Sequence, residues 1–381
     1  MSLVRRAQRV RTKFCNQYIG ENLMDRRSII KHAGIAGVLA AGAAPAVHAQ
    51  AAIRWRLASS FPKSLDTIYG SADVFSKAVK EMSGGKFEVS VHAAGELMPA
   101  FGVVDGVQNG TVEIAHTAPY YFFGKNEAFA IGGAIPFGMN SRQLTAWMVD
   151  GNGTKLMREF YAQYNIVNFL GGNTGAQMGG WYRKQINTLE DIKGLKIRIA
   201  GIGGEILSRM GAIPQQIAGS DIYPSLEKGT IDAAEWVAPY DDEKLGFYKV
   251  APHYYSPGWW EPGPAVHFYV NKAEWDKLPK EYQAAFACAA AEANVTMTAE
   301  YDHKNPIALA KLLQNGVKLH SFSKEIMEAA YKSAQQIYAD ESAKNPAFKK
   351  IYDSYAKYAK SQRAWFSVAE MPMDQFAQSH R

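Results

Sequence analysis

The sequence predicts an α/β protein of two domains with parallel or mixed sheets, a ligand cleft between the domains and a long helical C-terminal tail. Three observations carry this reading. Strands and helices alternate from residue 50 onwards, the alternation restarts near residue 166, and an Ala/Lys/Glu-rich helical run begins at Lys280. The 381 residues make roughly two to three ordinary domains. With 47% apolar and 20% charged residues, the chain has the balance of a globular protein rather than of a disordered or coiled-coil one.

The elements follow in order. Residues 53–58 alternate as a strand, and Ser59 to Pro62 forms a turn. Helical spacing of Ala72, Phe75, Ala78, Val79 and Met82 predicts a helix over 67–83, stopped by Gly84-Gly85. A second strand is expected at 87–91, a second helix at 99–109 and a third strand at 113–117, the order that builds a parallel sheet. Downstream, strands are expected at 166–171, 177–182, 195–200, 233–236 and 266–271, an extended piece at 214–217, and short helices at 205–210 and 223–228. The expected division is 50–173 with 264–303 as the first domain, 174–263 as the second, and 304–381 as a helical tail packing across the domains or in a dimer.

Residues 1–49 differ from the rest. They hold eight basic and two acidic residues, which leaves 34 of each sign in the remainder. The formal charge of +6 therefore belongs to this leader, and no electrostatic footprint for a nucleic acid remains. Arg26-Arg27 stands before a short apolar run over 33–44, Pro45 breaks it, and Ala49 preceded by Val47 suits cleavage. Such a run is too short to span a bilayer, so the expectation is a twin-arginine export signal and a periplasmic protein. Met24 offers an alternative start. Cys15 falls in the leader, leaving Cys288 as the one cysteine after cleavage, and no Cys/His spacing supports a zinc site.

Enzyme motifs are scarce. Gly201-Ile202-Gly203-Gly204 follows an expected strand, but a dinucleotide fingerprint needs glycine where Ile206 stands. No nucleophile elbow or Walker loop occurs. His92, His116 and His267 lie on strand-like segments and read as packing or solvated positions. Glu235 and Glu261 would be the acid/base pair of an exported hydrolase, the one enzymatic alternative the sequence offers.

Three segments are more specific: Asp191 through Gly194 and Arg198 to Ala200; Tyr223-Pro224 through Gly229 to Glu235-Trp236; and Val270-Asn271 through Trp275 to Pro279. Together with the run from Asp105 to Ile114, they resemble the solute receptors of tripartite ATP-independent periplasmic (TRAP) transporters over essentially the whole chain after the leader. The stretch from Gly172 and Asn173 to Trp181, with Ala234-Glu235-Trp236, is similar to the branch that binds small 2-oxo or 2-hydroxy monocarboxylates through a metal ion. The resemblance implies a two-domain periplasmic binding protein without catalysis. It makes Arg198 the anchor of the ligand carboxylate, a role its planar, permanently charged fork suits. It also implies Gln177, Glu235 and the main-chain oxygen of Trp236 as cation donors, and Asn173, Tyr121 and Glu261 as further ligand contacts. Between Tyr120 and Tyr121, strand alternation alone does not choose.

An all-oxygen donor set excludes soft metals. One monovalent cation balances Arg198, Glu235 and a ligand carboxylate, so sodium is the first expectation and calcium, should Glu261 join the shell, the second. Trp259 and Trp260 are expected either to wall a small pocket or to pack a Pro/Gly-rich crossing. Membrane permease subunits are the implied partners, with a signalling partner as the other possibility. A homodimer is expected through the tail, where Ile326, Ala330, Ala334 and Ile337 recur at helical spacing.

Overall fold

The computed structural model describes residues 52–380. The expected leader, with Arg26, Arg27 and Ala49, lies outside these residues. Eleven strands occur among them: β1 (Ile53–Ser59), β2 (Phe87–His92), β3 (Ile114–Thr117), β4 (Ile166–Asn173), β5 (Trp181–Tyr182), β6 (Lys196–Arg198), β7 (Ile213–Gln215), β8 (Ala233–Ala234), β9 (His253–Ser256), β10 (Ala265–Asn271) and β11 (Lys318–Ser321). They form two mixed sheets, ordered β2-β1-β3-β10-β4 and β11-β9-β5-β8-β6-β7.

In the first sheet, β1 pairs in parallel with β2 and β3, as strand–helix–strand alternation requires. β10 returns from the second sheet and enters antiparallel between β3 and β4. β4 and β10 are buried at every position, which is why they read as continuous rather than alternating apolar runs. The helix Gly70–Met82 buries Ala72, Phe75, Ala78 and Val79 against this sheet, while Met82 stays exposed at its end. Gly84 and Gly85 adopt the left-handed backbone (φ 61° and 77°) and turn the chain into β2. The long helix Lys280–Gln314 covers the same face, with Phe286 4.6 Å from Phe75 between ring centres. Cys288 is half-buried on it rather than sequestered.

Several local expectations change. Residues 177–180 are irregular, and β5 is reduced to Trp181 and Tyr182. The helix expected at 205–210 starts at Gly201 and runs to Arg209, so the glycine cluster is its first turn. The tail is not helical throughout: β11 leaves it to pair in parallel with β9 and extend the second sheet, and position 304 falls inside the helix Lys280–Gln314. In the helix Lys324–Lys344, Ile326, Ala330, Ala334 and Ile337 are fully buried against their own chain, which removes that stripe as a dimer surface. The next helix, Pro346–Ala369, is capped by the Asn345 side chain and buries Phe348, Ile351, Tyr355 and Ala359. From its last turns onwards the apolar side chains emerge. Trp365, Val368, Met371, Met373 and Phe376 are 52–74% exposed.

Candidate functional site

β6 and β8 run in parallel, so their carboxyl ends open on the same side of the second sheet, where ligands of α/β sheets bind. Arg198 ends β6 and Glu235 follows β8. The Glu235 N–H donates to the Arg198 carbonyl (3.1 Å), which fixes both backbones at one level. Arg198 Nη1 then donates to the Glu235 carbonyl (2.7 Å) and pairs with its carboxylate, while Nε donates to the Ile217 carbonyl (3.1 Å). The guanidinium lies over the Trp236 ring, 4.9 Å from its centre. Both members of the ion pair are 1% exposed.

The neighbouring elements bring Gln177 and Glu261 to this pair. Met178 N–H donates to the Val237 carbonyl (2.9 Å) and Gly258 N–H to the Gln177 carbonyl (3.0 Å), so Gln177 is held between the segment following β8 that carries Glu235 and the loop leading to Glu261. Both side chains are buried. Burial raises the Glu235 carboxyl to about 7 against the pull of Arg198 and of the Ala200 main chain. Burial, reinforced by the charge of Glu235, pushes Glu261 well above the usual carboxylate range against smaller opposing contributions from Tyr120, Arg198 and Gln177.

The first sheet contributes the opposite wall. Pro119–Phe122 is a 3₁₀ turn rather than a strand, so adjacent side chains need not alternate. Tyr120 faces Glu261 and Tyr121 faces Arg198, and each pair is close enough to shift the other's titration. Both tyrosines therefore belong to the site. The turn seats closely on the second sheet: a Cβ on Gly201 would lie 3.0 Å from the Tyr120 Cβ, and Gln216 Nε2 donates to the Tyr121 carbonyl (3.1 Å). Asn173 sits at the end of β4 with its amide already used, its nitrogen donating to the Gly263 carbonyl (2.9 Å) and its oxygen accepting from Gly175 N–H (2.8 Å). It fastens the two crossings between the sheets.

Three oxygens remain without a hydrogen-bond donor in this buried cluster: Gln177 Oε1, Glu235 Oε2 and Glu261 Oε2. Orphaned buried acceptors of this kind carry a desolvation cost of roughly 1–3 kcal/mol each, more when charged, which a bound cation would remove. The donors are hard oxygens with no imidazole or thiolate, as sodium, calcium or magnesium require. The orphaned oxygens of Gln177, Glu235 and Glu261 therefore fit a hard cation.

The histidines have other roles. His116 is locked between Ser59 (3.0 Å) and Ser71 (3.1 Å), and burial lowers its pKa to about 3. His267 meets the Gly132 carbonyl at 2.9 Å. Trp259 stacks on Phe137 with ring centres 5.3 Å apart, and Trp260 sits edge-on to Trp259 at 4.7 Å. Both rings pack the crossing segment. Sequence reasoning missed two buried acids, Asp241, which accepts from the Trp236 indole, and Asp242, which accepts from the Trp181 indole. Their only local signal was Pro239 opening a short helix with acids in its first turn.

Residues 58–345 match the family model described as bacterial extracellular solute-binding protein, family 7 (DctP). The chain belongs to this family. A monocarboxylate 2-oxoacid-binding periplasmic protein of Nostoc sp. (strain PCC 7120) is 48% identical over 327 residues, spanning 86% of this chain and 90% of that protein. A TRAP transporter solute-binding protein from Bordetella bronchiseptica RB50 superposes with TM-score 0.85 at 50% identity, covering 87% of this chain and 98% of that one. That structure is a mixed-occupancy dimer with copurified calcium and picolinate in one site. A TRAP periplasmic solute-binding protein from Pseudoalteromonas atlantica T6c, with bound sodium and pyruvate, superposes with TM-score 0.82 at 37% identity over 85% of this chain and 99% of its own. As a DctP-family member the chain is a periplasmic solute receptor of the TRAP type and not an enzyme, which sets aside the hydrolase alternative for Glu235 and Glu261.

Proposed function

We propose that this receptor captures a small 2-oxo monocarboxylate together with a sodium or calcium ion and delivers it to the membrane permease subunits of a TRAP transporter. The observation that carries the reading is the set of orphaned oxygens on Gln177, Glu235 and Glu261, buried in one closed cluster with the Arg198 guanidinium. Arg198 binds the ligand carboxylate, and the ligand's carboxylate and 2-oxo oxygens complete the cation shell. Tyr121 and Glu261 lie close enough to hydrogen-bond the ligand, and Asn173 holds the wall they stand on. Relatives named for 2-oxoacid binding, or holding pyruvate or picolinate beside a cation, support the same chemistry. Sodium is the first choice, because Arg198, Glu235 and the ligand carboxylate together leave one negative charge to neutralise.

The first lobe comprises 50–173 with 264–303 and the second 174–263, and the ligand enters when they swing apart about the crossings at Asn173 and Gly263. Arg26-Arg27 directs export by the twin-arginine route. Mass spectrometry of the small molecule released on denaturing gently purified protein tests the function. A retained 2-oxo or 2-hydroxy monocarboxylate is expected, and a retained sugar acid or diacid would overturn the ligand class.

A further inference from the structure

The Trp236 ring lies beneath the Arg198 guanidinium, yet neither Arg198 nor Glu235 bonds its indole nitrogen to fix the ring's plane. The structure shows what does. The Trp236 indole N–H donates to Asp241 Oδ2 (3.3 Å), five residues on in the helix Pro239–Leu245. The same oxygen accepts from the Tyr301 hydroxyl (2.8 Å), carried by the long helix Lys280–Gln314 of the opposite lobe. On its other edge the ring is wedged against Gly219, where a Cβ would lie 2.7 Å from Cη2. Asp241 is completely buried.

Its neighbour provides an internal comparison. Asp242 Oδ2 also accepts from one indole, Trp181 (2.9 Å), and one tyrosine hydroxyl, Tyr254 (2.7 Å). Those partners belong to β5 and β9, inside the second sheet, and neither is among the side chains that make up the site. Asp242 thus holds the sheet together, whereas Asp241 joins the ring under the ligand anchor to a helix of the other lobe.

We propose that Asp241 is a positioning residue for ligand capture, setting the Trp236 ring beneath Arg198 and tying that ring to Tyr301 across the lobes. A carboxylate at the indole N–H also enriches the ring's electron density, and a cation over the face feels that enrichment. The inference rests on the ligand reading for its affinity test and is independent of it for its spectroscopic one.

The test compares Asp241→Asn, Asp242→Asn and Trp236→Phe. With pyruvate titrated calorimetrically in saturating calcium, Asp241→Asn and Trp236→Phe each weaken binding by about three- to thirtyfold, and the double variant is no weaker than Trp236→Phe alone. Asp242→Asn stays within twofold while lowering the melting temperature. Trp236→Phe keeps an aromatic ring while removing the indole N–H and needs no change at the buried acid, so it carries the test should Asp241→Asn fail to fold. In ligand-free protein labelled with 5-fluorotryptophan, the ¹⁹F resonance lost in Trp236→Phe should shift in Tyr301→Phe and stay put in Asp242→Asn. Wild-type affinity in Trp236→Phe, or an unmoved resonance in Tyr301→Phe, overturns the inference. Failure of the wild-type chain to bind pyruvate overturns the ligand reading alone, because the resonance still decides this one.

Discussion

Arg198 and Glu235 meet twice, once through the Glu235 carbonyl and once through its carboxylate, and both are shut away from water. Each alone would be prohibitive to bury at this depth, so the pair is kept by mutual compensation. The pair engages only Nη1 of the guanidinium, with Nε bonded to the Ile217 carbonyl, while Glu235 Oε2 has no donor. One carboxylate therefore serves two positive charges, and the site is built for an anion and a cation together.

Replacing Arg198 by alanine removes the anchor and leaves Glu235 buried without its counter-charge. Breaking such a pair costs roughly 2–5 kcal/mol, so 2-oxo acid affinity falls by about 30-fold to several thousand-fold. Calorimetry checks this, and unaltered affinity would sink the assignment. Arg198→Lys should recover little, since a lysine cannot donate to Glu235, Ile217 and a carboxylate from one plane.

The pH dependence of stability follows from Glu235, whose carboxyl stands at about 7 in the folded chain against an ordinary 4.5. Between these values the folded state holds a proton that the unfolded state has released, so its contribution to stability is lost as pH rises through the window. Buried His116, lowered to about 3, acts in the opposite direction below pH 6.5. Asp241 and Asp242, raised to about 7 by burial, and His267, lowered to about 4, also shape the net curve, so a difference curve is the better measure of Glu235. The melting temperature of Glu235→Gln minus that of wild type, measured without ligand or cation, should climb from about pH 4.5 to 7 and then level. A flat difference would show that Glu235 ionises normally.

Much of this was legible in the residues, and the failures have physical causes. Phe75, Ala78 and Val79 gave the first helix because its stripe faces one sheet, and Gly84-Gly85 stopped it. The motifs placed Arg198, Gln177, Glu235 and Glu261 in segments that the structure brings together. Tyr120 against Tyr121 was undecidable because a 3₁₀ turn has no twofold alternation. The helices Ser141–Val149 and Gly153–Ala162 were passed over, although Asn140 and Gln143 form a capping box at the first of them. Asp241 and Asp242 escaped notice because adjacent acids normally mark a solvated face, and only tertiary contacts supply Trp236, Trp181, Tyr254 and Tyr301 as donors.

The export signal is tested outside the described residues. With Arg26 and Arg27 both changed to lysine, precursor should accumulate in the cytoplasm. Unchanged periplasmic yield would refute twin-arginine routing.

Dimerisation now points to a different surface from the stripe on the helix Lys324–Lys344. Trp365, Val368, Met371, Met373 and Phe376 expose apolar area at the end of the tail, the kind of patch that marks an interface. Removing everything after Ser354 would also strip Tyr355, whose hydroxyl accepts from Met139 N–H (2.7 Å), and would damage the fold. A cut after Ala364 spares it. Light scattering at micromolar concentration should give a dimer for the full chain and a monomer for the shortened one; a monomer in both rules the interface out.

The cation decides how the ligand is read, and removing it is the sharpest measurement available. Without it, Gln177 Oε1, Glu235 Oε2 and Glu261 Oε2 stay orphaned and the ligand meets three acceptors instead of a positive charge. Chelator-treated protein in potassium buffer should therefore bind pyruvate weakly, and sodium or calcium should restore affinity. Sodium is expected to suffice, because Arg198, Glu235 and the ligand carboxylate together leave one negative charge, and burial favours the neutral form of Glu261. A preference for calcium would mean that both carboxylates ionise around a divalent ion. The 2-oxo oxygen should matter as much as the carboxylate, since in this reading both would complete the cation's shell. Propionate, of equal length without that oxygen, should bind worse with the ion present and about equally without it. Full pyruvate affinity in the absence of both ions would end the bridge and leave Arg198 as the sole anchor.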